Sequence, residues 1–158
     1  MNNYKIVFMG TPDFGIPSLN ELYKQGYEVE AVYTQPDRVN KRGNKVQFSA
    51  VKQFALEHDI TIYQPNSLKD EKELDVLRAL NPDLIIVIAY GKILPQAVLD
   101  IPKYGVINVH ASLLPKYRGA APVQRSIIDG EETTGVTIMQ LDAGMDTGNI
   151  IAEKSVFI

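Results

Sequence analysis

Leu84-Ile85-Ile86-Val87-Ile88-Ala89 is the stretch on which the fold turns. It is apolar on both faces, and such runs belong in the middle of a parallel sheet covered by helices on either side. With that strand at the centre, its flanks fall into order. Ile6-Val7-Phe8-Met9 is a second continuous apolar run, ended by Gly10-Thr11-Pro12-Asp13, as expected of a buried strand feeding a loop at its carboxyl end. Pro17 suits a first helical turn, and Leu19, Leu22 and Tyr23 recur at helical spacing until Gly26 stops the pattern. Val29 to Tyr33 reads as the next strand. Val51, Phe54 and Ala55 suggest a helix before the strand Ile60-Thr61-Ile62-Tyr63. Leu74, Leu77 and Leu80, set among charges between Asp70 and Leu80, predict an amphipathic surface helix. Beyond the central run, Val106 to His110 reads as a strand and Val123 to Asp129 as a helix after Pro122. Gly135 to Leu141 alternates like a strand, and Ile150 to Val156 begins one more extended segment.

Strands separated by helices imply right-handed crossovers in a mostly parallel sheet, which is a doubly wound α/β fold of Rossmann-like type with helices on both faces. Ligands of such sheets sit outside the carboxyl ends of the strands. Gly10 to Asp13, Tyr90 to Pro95 and Asn108 to Pro115 all fall there. The 158 residues fit one domain, with no internal repeat, low-complexity tract or linker, and 45% hydrophobic residues belong to the globular class. Sixteen basic against 19 acidic residues give a net charge of −3, so no global positive field advertises nucleic acid, and any basic patch must be local. The absence of cysteine excludes disulfides, a thiolate nucleophile and a cysteine-based zinc site, and makes intracellular residence the easier expectation. Met1-Asn2-Asn3-Tyr4-Lys5 lacks the basic region and apolar stretch of a signal peptide. Leu84 to Tyr90, the longest uncharged apolar stretch, is far short of the roughly 20 residues that span a bilayer, so no membrane association is expected.

Chemistry concentrates at Asn108-Val109-His110. Residues i and i+2 of an extended segment point to the same side, so an amide donor and an imidazole are presented to one point in space. Acyl transfer uses that pair, because charge developing on a carbonyl oxygen is met by preorganised donors. A carboxylate that orients the imidazole is supplied by Asp146, downstream in the Asp142-Ala143-Gly144-Met145-Asp146 loop. Against this, a histidine in an apolar strand is often a satisfied core residue, and Asp146 beside Gly144 and Gly148 suits a plain turn. Accumulation of polar groups where this fold class builds clefts favours the site. Gly10-Thr11-Pro12-Asp13-Phe14-Gly15 invites a dinucleotide-binding reading, but the middle glycine is absent and Pro12 removes a backbone donor, so a strand-to-helix turn is preferred. A Gly-x-Ser-x-Gly nucleophile elbow is absent, two distant histidines give no zinc spacing, and His58 in Glu57-His58-Asp59 is expected to be a solvated surface residue. The long polar connection from Thr34 to Phe48, with Asp37, Arg38, Lys41, Arg42 and Lys45, is either a solvated charged loop or a functional one.

Several segments, in matching order along essentially the whole chain, carry a specific resemblance. They are Gly10-Thr11-Pro12-Asp13-Phe14, Thr34-Gln35-Pro36-Asp37-Arg38, Ala89-Tyr90-Gly91-Lys92-Ile93-Leu94-Pro95, Ser112-Leu113-Leu114-Pro115 with Arg118-Gly119-Ala120-Ala121-Pro122, and Asp142 to Gly148. Together they resemble the folate-dependent formyltransferase family, and within it the amino-terminal catalytic domain of the branch that acts on charged initiator tRNA. Asn108, His110 and Asp146 match the family's catalytic trio. The resemblance implies transfer of a formyl group from 10-formyltetrahydrofolate to the α-amino group of methionine esterified to initiator tRNA, with no metal. It also implies that Ala89, Tyr90, Ile93 and Leu94, the Ser112, Leu113, Leu114 and Pro115 loop, and Asp142 border the folate, and that Arg42 meets the tRNA acceptor end. In the Arg42 loop, Val39-Asn40-Lys41 stands where the family commonly has Pro-Ala-Gly, and Phe48-Ser49-Ala50 replaces a Pro-Ser-Pro-like stretch.

The family enzyme has further catalytic-domain structure and a carboxyl-terminal β-barrel domain, so residues 1–158 are expected to be an incomplete catalytic domain of a cytoplasmic enzyme that is a monomer at full length. The extended segment at Ile150 is expected to expose a sheet edge and promote self-association. Two alternatives remain at this stage. One is a formyltransferase acting on a sugar-nucleotide amine or on glycinamide ribonucleotide, which shares the trio, although Gly10 to Phe14 and Gln35 to Arg38 favour the tRNA branch. The other is a non-catalytic folate- or dinucleotide-binding module.

Overall fold

The strands of the computed structural model are Lys5–Gly10 (β1), Glu28–Tyr33 (β2), Arg38–Val39 (β3), Val46–Gln47 (β4), Thr61–Tyr63 (β5), Leu84–Ile88 (β6), Val106–His110 (β7), Thr133–Gln140 (β8) and Ile150–Phe157 (β9). The helices are Ile16–Lys24 (α1), Ala50–Glu57 (α2), Glu71–Leu80 (α3), Gln96–Leu99 (α4) and Pro122–Ile128 (α5). The structure describes residues 3–144 and 146–158; Met1 and Asn2, where the signal-peptide reading begins, and Met145 of the Asp146 loop lie outside the described residues. Seven strands form one sheet in the order β5-β2-β1-β6-β7-β8-β9, which places β6 at its centre. The pairs β5–β2, β2–β1, β1–β6 and β6–β7 are parallel, while β7–β8 and β8–β9 are antiparallel.

Side chains of successive strand residues point to opposite faces, and the core divides accordingly. Ile6 and Phe8 of β1, Val32 of β2 and Ile86 and Ile88 of β6 pack with Leu19 of α1 and Val51, Phe54 and Ala55 of α2. Val7, Met9, Ile85, Val87 and Val106 face the other way, onto Leu74 and Leu77 of α3 and Val98 of α4. The chain thus runs outward from β1 to β2 and β5 with its helices on one face, then crosses back to β6 and β7 with its helices on the other. The reversal between β1 and β6 leaves a crevice at the carboxyl ends of these strands, where doubly wound folds bind ligands.

Local chemistry fixes the element ends. Ser49 Oγ accepts from the Lys52 amide at 3.0 Å to cap α2, and Asp70 Oδ1 accepts from the Lys72 amide at 3.0 Å to cap α3. Asn81, with φ of 48°, ends α3 in the left-handed conformation that asparagine tolerates. Gly10 is glycine for space: a Cβ there would lie 2.7 Å from the Ile88 carbonyl oxygen and 2.8 Å from the Phe8 ring. The segment after β1 is a strand-to-helix turn, as its missing middle glycine suggested.

Four features depart from the sequence reading. The connection from Thr34 to Phe48 contains a β-hairpin, in which Arg38 pairs Gln47 and Val39 pairs Val46. Two-residue strands with both faces exposed leave no hydrophobic period to read. The short helix α4 was also invisible, because four residues span barely one turn. β8 starts at Thr133, two positions before Gly135, within residues too polar to signal a strand. His58 is half-buried rather than solvated: its ring stacks on Phe54 at 3.9 Å between centroids, and its Nδ1 lies 2.8 Å from the Phe54 carbonyl oxygen at the end of α2.

At the far edge, all eight residues of β9 are exposed, and its outer side pairs with no strand among the described residues. Unpaired edges template pairing with further chains. Sedimentation velocity on the 158-residue chain is expected to show concentration-dependent self-association that Ile151→Lys with Phe157→Lys suppresses; a wild-type chain that stays monomeric at high concentration would count against it.

Candidate active site

The parallel β6–β7 ladder sets Asn108 opposite Val87, and the antiparallel β7–β8 ladder sets His110 opposite Thr137. Period-two geometry turns Asn108 and His110 to the same face as Val106, toward α3 and α4, at the carboxyl end of the sheet. Both residues line a cleft of about 680 Å³. Its other walls come from Phe14 after β1, from Ala89 to Leu94 after β6, from Gly119 to Pro122 leading into α5, and from Leu141 to Gly144 with Asp146.

His110 is held at one ring nitrogen and faces a carboxylate with the other. Its Nε2 lies 2.7 Å from the backbone carbonyl oxygen of Tyr117, and its Nδ1 lies 3.6 Å from Asp146 Oδ2. A carbonyl oxygen only accepts, so Nε2 carries the hydrogen and donates it. Asp146 is fixed in turn, because its Oδ2 accepts the Gly119 amide at 2.8 Å. The His110–Asp146 pair is largely withdrawn from water, with side-chain exposures of 9% and 12%. Asn108 differs: it lines the cleft, and among the described residues its side-chain amide makes no hydrogen bond.

Strained backbone lies in the cleft wall at Ala89, Ala121 and Asp146 and behind His110 at Tyr117. Ala89, Tyr117, Ala121 and Asp146 have φ of 52°, 57°, 53° and 52°, in the left-handed region that non-glycine residues avoid. Each such residue costs on the order of 1 kcal/mol or more, and such strain clusters at functional sites. Thr11 Oγ1 and Gln35 Nε2 both donate to the Tyr90 carbonyl oxygen, at 3.0 and 3.2 Å, and tie the ends of β1 and β2 to the cleft wall.

Of the residues singled out for folate, Ala89, Tyr90, Ile93, Leu94 and Asp142 line this cleft. The Tyr90 ring is buried in the core under α3 and α4, and burial pushes its phenol up to about 12. Asp142 Oδ1 accepts from the Gly144 amide and from Thr147 Oγ1, both at 2.9 Å, and so shapes its own loop. Ser112, Leu113, Leu114 and Pro115 are not among the cleft-lining residues. Their segment folds back over β8 instead: Thr137 Oγ1 donates to the Ser112 carbonyl at 2.7 Å and accepts from the Leu114 amide at 3.1 Å, and Ser112 Oγ donates to the Lys116 carbonyl at 2.6 Å. Antiparallel pairing of β7 with β8 brings Thr137 beneath this turn, so these residues brace the cleft from behind.

Arg42 is exposed in the turn of the β3–β4 hairpin and does not line the cleft. The hairpin's base is anchored: Lys52 Nζ meets Asp37 Oδ2 at 2.7 Å, and Gln64 Nε2 donates to Asp37 Oδ1 at 2.8 Å and to the Gln35 carbonyl at 3.1 Å. The hydrogen bond from Lys52 holds the Asp37 carboxyl below its usual range. Sequence reasoning assigned no role to Phe14, Tyr117 or Gly119. The signal available for the last two was their place in the segment leading to Pro122, whose backbone rather than side-chain atoms reach His110 and Asp146. Among the described residues no group of three or more His, Cys, Asp or Glu side chains is placed to hold a metal, and no helix is long and apolar enough to cross a membrane.

Comparison with known proteins converges on one family. The sequence profile described as formyl transferase matches residues 4–158. Curated relatives include a methionyl-tRNA formyltransferase from Caldanaerobacter subterraneus, 55% identical over 155 residues, and one from Clostridium perfringens, 58% identical over 155 residues. Each alignment covers 98% of this chain and 50% of the relative, so the chain spans about half the length of the curated relatives it matches. Among solved structures, phosphoribosylglycinamide formyltransferase from Bacillus halodurans superposes with a TM-score of 0.78 at 24% identity, covering 98% of this chain and 80% of that one. A sugar 3N-formyl transferase, WlaRD, superposes with a TM-score of 0.70 at 24% identity, covering 100% of this chain and 53% of that one. At such identities these two speak for the fold alone, but the profile and the curated relatives go further: this chain belongs to the formyl transferase family.

Proposed function

We propose that residues 1–158 form an amino-terminal catalytic domain that transfers a formyl group from 10-formyltetrahydrofolate to the α-amino group of methionyl initiator tRNA, within a longer enzyme. Identity above 50% to methionyl-tRNA formyltransferases along the whole chain supports the acceptor. The single observation that carries the chemistry is the cleft itself, in which the Asn108 amide has no partner among the described residues while the His110–Asp146 pair, 3.6 Å apart, lies beside it.

In this reading the neutral amine nitrogen attacks the formyl carbon, and the carbonyl electron pair moves onto oxygen. Asn108 donates to that oxyanion, and His110 stabilises it alongside. The carbon–N10 bond then breaks, the carbonyl re-forms, and one proton passes from the amine nitrogen to N10. Asp146 orients His110 and a water that relays this proton. Ala89, Tyr90, Ile93, Leu94 and Asp142 border the folate, with Ser112 to Pro115 bracing the site behind them. No metal takes part. Arg42 grips the acceptor end, where a guanidinium engages phosphate or stacks on an unpaired base. A carboxyl-terminal β-barrel domain completes tRNA binding, and the whole enzyme works as a cytoplasmic monomer.

Rates measured with charged initiator tRNA, an amino sugar nucleotide and glycinamide ribonucleotide as competing acceptors test the substrate. The tRNA is expected to win, and preference for either small acceptor reassigns the enzyme within the family. His110→Ala and Asp146→Ala are expected to lower turnover by about a hundredfold or more while donor affinity changes little, because both groups act on charge in the transition state. Near-normal turnover with weakened folate binding would move these residues to the binding wall.

Arg42→Ala is expected to impair use of charged tRNA and leave folate binding intact, with Arg42→Lys rescuing only in part because lysine lacks the planar fork. Equal rates for wild type and Arg42→Ala across limiting tRNA concentrations would leave the hairpin turn as a solvated charged loop.

A further inference from the structure

Behind His110 lies a second cluster that the proposed chemistry does not use. The Tyr117 hydroxyl lies 2.9 Å from Asp129 Oδ2 and 3.0 Å from Glu131 Oε1, both just beyond α5, and Lys116 Nζ meets the same Glu131 oxygen at 2.8 Å. Arg125 of α5 lies over the Tyr117 ring and donates to the Arg118 carbonyl at 2.6 Å. A phenol has one hydrogen, so it is shared between two carboxylates, with Lys116 supporting one of them. Partial burial and these carboxylates push the phenol up, and the Lys116 and Tyr117 hydrogen bonds hold the Glu131 carboxyl down. The hydroxyl therefore stays a donor and Glu131 an ionised acceptor.

The backbone of this residue faces the other way. The Tyr117 carbonyl takes the His110 Nε2 hydrogen, and two residues later the Gly119 amide donates to Asp146. Both contacts depend on left-handed backbone, with φ of 57° at Tyr117 and 82° at Gly119. Tyrosine does not adopt that conformation by preference, so something must hold it.

We infer that Tyr117 is the positioning residue of this site: its side chain, anchored on Asp129 and Glu131, aims one carbonyl at His110 and one amide at Asp146, fixing the imidazole tautomer and the carboxylate together. This rests on the proposed roles of His110 and Asp146 for its bearing on catalysis, but not for its geometry.

The chain has two histidines, and they make the test direct. His58 faces a carbonyl through Nδ1 and His110 through Nε2, so the two rings carry opposite tautomers and separate in ¹⁵N-imidazole NMR spectra. In Tyr117→Phe the His110 Nε2–H signal is expected to lose its protection and its ring to mix tautomers, while His58 is unchanged. Glu131→Gln, which keeps an acceptor oxygen, is expected to retain most of the wild-type signal. Should Tyr117→Phe fail to fold, Asp129→Ala with Glu131→Ala removes the anchor from the other end and is expected to release His110 likewise. An unaltered His110 signal in whichever variant folds overturns the proposal.

In the longer enzyme, Tyr117→Phe is expected to lower kcat, by up to about a hundredfold, with the donor KM unchanged. A rise in donor KM at constant kcat overturns the positioning role. If His110 is released as expected but His110→Ala retains full turnover, the clamp stands and the catalytic reading falls.

Discussion

Burial of β6 on both faces is the constraint from which the rest of the structure follows. With neighbours hydrogen-bonded on either side and helices above and below, Leu84 to Ile88 has no room for a polar side chain, and Ile85 to Ile88 are all buried. Polar groups are driven to the strand ends. At its carboxyl end, Ala89 and Gly91 turn the chain out with positive φ, so the first residues free of the sheet form the wall of the cleft. β7 lies beside β6 and has a partner of opposite direction on its other side, so its last residues lie where the parallel half of the sheet gives way to the antiparallel half. Asn108 and His110 are polar because the covering layer opens there.

What the sequence disclosed follows from how much each feature depends on period alone. Unbroken apolar runs of four or more located β1 and β6, shorter apolar stretches interrupted by Glu30, Thr61 and Asn108 gave β2, β5 and β7, and Leu74, Leu77 and Leu80 gave α3 to within a residue. Asn108 and His110 could be placed on one face because a two-residue spacing in a strand admits nothing else. The hairpin of β3 and β4 was not legible, since two exposed residues per strand bury nothing. His58 misled for a different reason: its neighbours Glu57 and Asp59 are charged, yet its ring closes the end of α2 on Phe54 and meets Tyr23 edge-on at 4.7 Å.

Within the site, illegibility had one physical source. The contacts that hold His110 and Asp146 are made by peptide groups, a carbonyl of Tyr117 and an amide of Gly119, and every residue type carries those. Their aim depends on left-handed backbone at Gly119 and at Tyr117, and at the tyrosine no propensity predicts it. Ser112 to Pro115 show the converse. Their resemblance to family segments could be read directly, whereas Thr137, which holds them through its hydroxyl, is invisible as a partner until β8 is paired with β7.

The carbonyl of Tyr90 accepts two side-chain donors and is thereby immobilised, and the arm that follows it carries Ile93, 89% exposed to water. A solvated isoleucine on a fixed pivot is hydrophobic surface held ready without further ordering of the chain. Fully covering such a side chain is worth about 1.5–3 kcal/mol. Its thermodynamic mark is a fall in heat capacity as the ligand seats, since apolar area leaves water. A flat ring system bound in this cleft would thus draw part of its affinity from water released at one residue, and that contribution would weaken on cooling while the hydrogen bonds of the site would not share its temperature dependence.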